Sequence, residues 1–171
     1  MKKPVLMTLA ALLSLQTGNG YAQTCNASSY QTTPTSRFVL KTDGTALDKK
    51  TGLLWKRCLE GYNWNGSGCT GSASLALWQN ALKKAAASTF LSKTDWRLPN
   101  AKELASIAER ACVNPQMNLS VFPNMPTVFI WTATPSAAST SSAWAGGSGY
   151  QNHWEYPKSK AYGVLLVRNA P

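Results

Sequence analysis

Asp95-Trp96-Arg97-Leu98-Pro99-Asn100-Ala101-Lys102-Glu103-Leu104 is the stretch whose reading decides the fold. It reads as an extended run that stops at a proline and turns into a helix. Pro99 biases Leu98 away from helical backbone angles. Asn100 is a strong N-cap residue, and Glu103 stands three positions on, the spacing of a capping box. Beyond them Leu104, Ala105, Ile107, Ala108, Ala111 and Cys112 recur at helical spacing and predict one apolar face. Arg97 lies between Trp96 and Leu98. A charge in so apolar a setting needs carboxylate or carbonyl partners, so Arg97 is read as a structural pin.

Upstream, the chain carries a second helical pattern. Leu75, Trp78, Ala81, Leu82 and Ala85 line one face, Gln79, Lys83 and Lys84 another, and Ser72 or Ser74 is the expected cap. Before it, residues 37–41, 45–48 and 53–58 read as three strands joined by turns at Asp43-Gly44 and Lys49–Gly52. Residues 59–72 are rich in Gly and Asn and read as a loop, with Tyr62 and Trp64 embedded in it. Downstream, residues 128–132 are β-branched and aromatic, which predicts a buried strand. Ala143-Trp144-Ala145 and His153–Tyr156 predict a hairpin across the Gly-rich turn at 146–149. Residues 162–167 make a last strand. Strands, two helices, then strands again is an α+β order.

Residues 1–22 read as a signal peptide: Lys2 and Lys3, a short apolar run at 5–15, and small residues at Gly20-Tyr21-Ala22. The apolar run is too short to span a bilayer. Ala22-Gln23-Thr24 is too polar for a lipidation site at Cys25. The expected product is an exported chain with no membrane span: an extended lead-in at 23–36 and one domain at 37–171. Loss of Lys2 and Lys3 lowers the formal charge from +10 to +8, leaving 15 Lys and Arg against 7 Asp and Glu. Such a domain meets anionic glycans, lipid head groups and extracellular DNA, although net charge serves solubility as readily as binding.

The four cysteines, Cys25, Cys58, Cys69 and Cys112, predict two disulfides in an oxidising compartment. No C-x-x-C occurs, which argues against a zinc or thioredoxin-like site. Three connectivities are open. Cys58–Cys69 is favoured because the Gly- and Asn-rich segment between them needs tying. It would contribute about 3 kcal/mol in the chain-entropy model. Cys25–Cys112 follows by elimination and would fasten the lead-in to the end of the Asn100 helix.

Taken in order, Phe38, Asp43-Gly44-Thr45, the run from Asp48 through Gly52-Leu53-Leu54-Trp55-Lys56-Arg57-Cys58, Trp64 with Cys69-Thr70-Gly71, Trp78 with Ala81-Leu82, Trp96-Arg97-Leu98-Pro99-Asn100 with Glu103-Leu104, Phe122-Pro123, Trp131 and Val167-Arg168 form a pattern. It resembles the bacterial Lcl C-terminal domain family, named for the end domain of a collagen-like adhesin. The Arg-Leu-Pro element also looks like its counterpart in formylglycine-generating-enzyme domains. The resemblance implies a C-type-lectin-like fold: small twisted antiparallel sheets, two helices, long loops, and terminal strands that pair. No collagen-like stretch occurs in the chain, so the namesake's trimerisation is not carried over.

Function is narrowed by exclusion. His153 is the sole histidine, and no G-x-S-x-G elbow is present. With four cysteines paired, no thiol is left for oxidase chemistry. No carboxylate pair is singled out by spacing for glycoside cleavage. The nearest string to a calcium-lectin motif, Asn114-Pro115-Gln116, has no acid. No enzyme activity, cofactor, metal site or specific nucleic acid is therefore expected. The expected role is a binding module for anionic glycans or other polyanions. Cations supply charge-assisted contacts, and exposed aromatic faces suit sugar rings. The candidate residues are Trp154, Tyr156, Lys158 and Lys160, with Lys83 and Lys84 added from a helix face. Lys49 and Lys50 at a turn extend the basic surface. Trp55, Trp78, Trp96 and Trp131 are read as core. The rival is a structural or assembly component of a pilus or envelope complex that binds protein.

Overall fold

The computed structural model describes residues 23–147 and 153–171. The expected signal peptide, residues 148–152 of the Gly-rich turn and the side chain of His153 lie outside the described residues. The strands are β1 (Thr24–Cys25), β2 (Phe38–Leu40), β3 (Thr45–Asp48), β4 (Leu53–Lys56), β5 (Tyr62–Trp64), β6 (Cys69–Gly71), β7 (Cys112–Val113), β8 (Phe129–Pro135), β9 (Ser142–Gly147), β10 (His153–Pro157) and β11 (Val167–Asn169). The helices are α1 (Trp78–Ala86) and α2 (Ala101–Ser106). A four-stranded sheet runs β11-β4-β3-β2 and a three-stranded sheet β10-β9-β8, while β1-β7 and β5-β6 are two-stranded ribbons. Every named strand pairing is antiparallel. The α+β reading, with two helices and small antiparallel sheets, describes this chain.

Successive residues of a strand point to opposite faces, and the sheets use that alternation to build two cores. In the four-stranded sheet Ala46, Trp55 and Val167 share a register and face one cluster, with Phe122, Ile107 and Leu165. Leu47 and Leu54 face the other, with Trp96, Leu98 and Trp131. β8 does the same, with Ile130 in the first cluster and Trp131 in the second.

The segment 162–169 ties these parts together. Tyr162 exchanges backbone hydrogen bonds with Ala76, ahead of α1. Gly163 donates to Phe129 and accepts from Trp131, and Leu166 accepts from Lys56. Val167 exchanges bonds with Arg97, the residue before the Leu98-Pro99 turn. Val164, Leu165, Leu166 and Val167 are all fully buried. The expected single strand over 162–167 is instead a run of isolated bridges, and only residues 167–169 join a sheet. Serving three partners in turn is incompatible with one continuous ladder.

Four further expectations change. The terminal strands do not pair with each other: β1 pairs β7 and β11 pairs β4. The 59–72 loop contains the β5-β6 hairpin, closed at Asn65 by donors from Ser67 and Gly68. Helix α1 starts later than Ser72 or Ser74 would place it. Its N-cap is Leu77, without a side-chain cap, because the Ala76–Tyr162 pairing holds the preceding chain extended. Helix α2 has 6 residues, fewer than two turns, and its expected apolar face breaks up after Ile107. Ala108 bridges Met117, and Cys112 enters β7.

The disulfides are Cys58–Cys69 and Cys25–Cys112. The second lies in the β1-β7 ribbon, so the lead-in is docked well beyond the end of α2. Glu109, buried, completes the docking. Its carboxylate accepts from the amides of Thr32, Thr33 and Ala111 and from the hydroxyls of Thr32 and Thr33. Thr33 is buried too, so the lead-in contributes to the interior rather than trailing from it.

Candidate functional site

The Arg97 turn is built as two interlocked devices. Asn100 Oδ1 accepts from the Glu103 amide at 2.8 Å, and Glu103 Oε2 accepts from the Asn100 amide at 2.7 Å, a reciprocal capping box. The same carboxylate accepts from both terminal guanidinium nitrogens of Arg97, Nη1 and Nη2, at 2.7 and 2.8 Å. Arg97 Nη1 also donates to Leu98 O. The Arg97 hydrogen bonds, helped by that charge and the Asn100 amide, outweigh burial and hold the Glu103 carboxyl below its ordinary value. Arg97 is thus pinned to a carboxylate, with its side chain still 42% exposed.

The candidate binding residues are not one cluster. Lys158 is partly buried. Its ammonium donates to Thr140 O at 2.7 Å and sits 4.4 Å from the Trp78 ring centroid. Its carbonyl accepts from the Trp78 amide, the first of α1. Trp78, expected in the core, is only partly buried and donates its indole N–H to Thr132 O. Leu77, Trp78, Gln79, Lys158 and Ser159 together line a cavity of about 430 Å³. Lys160 is exposed beside it in sequence, two residues past Lys158.

Tyr156 is drawn into packing instead. Its ring is 4.6 Å from that of Phe129 and 5.5 Å from that of Tyr162, edge-on to the latter. Trp154 is 66% exposed. Lys83 is exposed in the last turn of α1, where a cation complements the helix dipole. Lys84 folds back, and its ammonium donates to Ser74 Oγ at 2.9 Å. The cation-and-aromatic pair that a candidate lysine forms is therefore Lys158 with Trp78. The pairing of Trp78 with the 157–160 turn is long-range and left no periodic trace.

Charge is distributed unevenly. Arg37, Lys56, Arg97 and Arg168 are paired with Asp48, Glu60, Glu103 and Asp95. Burial would raise the Asp48 carboxyl, but hydrogen bonds from Arg37, Thr51 and the Lys50 amide, with the Arg37 charge, bring it below its ordinary value. Asp43 is spent on the amide and hydroxyl of Thr45, and Glu109 on the lead-in. Lys41, Lys49, Lys50 and Lys83, and also Lys93, Lys102, Arg110 and Lys160, remain exposed and outside any ion pair among the described residues.

A second cavity, about 210 Å³, lies under the lead-in between Gln23, Gln31, Glu109 and Asn118. Among the described residues no group of three or more His, Cys, Asp and Glu is placed to hold a metal ion, and no helix is long and apolar enough to cross a membrane. In comparisons with known proteins, the model of the Lcl C-terminal domain matches residues 44–168. No curated protein matches the chain.

Proposed function

The chain belongs to the Lcl C-terminal domain family, and from that premise we propose that it is an exported, non-catalytic binding module of C-type-lectin-like fold that recognises anionic glycans. The observation that carries the reading is the surplus of exposed cations over free carboxylates around a scaffold in which six of the seven acids, all but Glu155, are already engaged. Sulfates and carboxylates of a glycan gain charge-assisted hydrogen bonds from such lysines. The Trp78–Lys158 cavity, with Lys160 two residues on in sequence, is the assigned contact region, because it joins an aromatic wall to a cation in one concave place.

Heparin chromatography tests the reading. The protein is expected to elute well above physiological salt, and a Lys158→Ala, Lys160→Ala variant at lower salt. Elution of the parent with neutral proteins overturns it. A glycan array read with and without chelator is expected to give the same anionic hits. A second reading, a component of a pilus or envelope assembly, is favoured by the exposed apolar side chains of Leu75, Leu77 and Trp154, 48%, 44% and 66% exposed. Stable co-purification with an envelope protein, together with absence of heparin retention, selects it.

A further inference from the structure

The tip of the β5-β6 hairpin carries Asn65-Gly66-Ser67-Gly68. The Asn65 side-chain carbonyl is an unusually well-served acceptor. Its Oδ1 takes hydrogen bonds from the Ser67 amide at 3.0 Å, the Gly68 amide at 2.8 Å and the Ser67 hydroxyl at 3.1 Å. Asn65 and Gly66 are both exposed. Gly66 has φ of +98°, and a Cβ built on it would meet nothing within 4 Å, so the space beside its Cα is open. The Gly66 amide donates no hydrogen bond among the described residues.

We propose that Asn65 is a self-modifying site, at which the folded hairpin promotes conversion to aspartate and isoaspartate. Water or hydroxide removes the Gly66 amide proton. The Gly66 nitrogen attacks Asn65 Cγ, forming the N–Cγ bond and placing negative charge on Oδ1. The three donors already converge on that oxygen, as oxyanion donors do, and stabilise the charge where it develops. The Cγ–N bond to the side-chain amide breaks, and the protonated nitrogen leaves as ammonia. Water then opens the five-membered imide at either carbonyl, giving an ordinary aspartyl or an isoaspartyl link to Gly66. No oxidant or reductant is needed. The aspartate product keeps the acceptor that closes the turn and lowers the net charge by one. The isoaspartyl product adds a methylene to the main chain between Trp64 and the Cys58–Cys69 disulfide.

The experiment incubates the folded, disulfide-intact protein and the reduced, denatured chain in parallel at mildly alkaline pH. Peptide mapping by mass spectrometry follows Asn65, and an isoaspartyl methyltransferase assay counts the isoaspartyl product. Asn63, followed by Trp64, and Asn118, followed by Leu119, are internal controls. The expected result is deamidation at Asn65 alone, in the folded protein at least as fast as in the denatured chain, and slowed several-fold by Ser67→Ala, which deletes one donor. An Asn65 that stays intact in the fold while the denatured chain converts overturns the proposal, as does an Asn65 intact in both.

Discussion

Glu103 serves Arg97 and the Asn100 amide with one carboxylate, so this residue carries the junction between strand and helix. Asn100→Ala removes the cap and is expected to cost about 1 kcal/mol in denaturant unfolding. Gly44 is a sharper case. It has φ of +83°, and a Cβ there would lie 2.7 Å from Trp64 Cγ. Trp64 in turn donates to Thr42 O and stacks 4.4 Å from the Arg57 guanidinium. Gly44→Ala is expected to cost about 2 kcal/mol or more and to shift the Trp64 fluorescence. Much at this scale was legible: Asn100, Glu103 and Arg97 declare themselves by spacing and by an out-of-place charge. Glu109 did not. Its five acceptances come from Thr32, Thr33 and Ala111, and only the folded path of the lead-in brings the first two near it.

At the scale of elements, the meander β2-β3-β4 was readable because its turns carry Asp-Gly and Thr-Gly at the right places. The β5-β6 hairpin was not, since three-residue strands of mixed polarity show no alternation to detect. Helix α1 betrayed its face but not its start, which the distant Tyr162 decides. The candidate site was split for the same reason, with Trp78 assigned inward and Lys158 outward. The lead-in follows the same logic of long-range fastening. Glu109→Ala strips the acceptor from the amides of Thr32 and Thr33. It is expected to raise hydrogen exchange and protease cutting across residues 26–36, with the four-stranded sheet still protected.

For the whole molecule, acid is the revealing variable. Asp48, Glu103 and Glu109 all ionise more readily in the fold than in the unfolded chain, whose ordinary values are 3.8 for Asp and 4.5 for Glu. The unfolded chain therefore binds more protons in acid. The stability these groups contribute is complete above the unfolded values and is lost as pH falls through the lower folded ones. The melting temperature is expected to be nearly flat from about pH 6 to 8 and to drop steeply below about pH 4. A drop beginning near neutrality instead would mean that other groups govern the fold.

The stitching of residues 162–169 through both cores has a consequence for how this protein is born. A ribosome delivers those residues after all the partners they join, so neither hydrophobic cluster can close while the tail is still inside the exit tunnel. Until then the nascent polypeptide stays pliable. A stop codon placed before Val164 should yield a chain that never gains a sharp thermal transition, whatever its disulfides do.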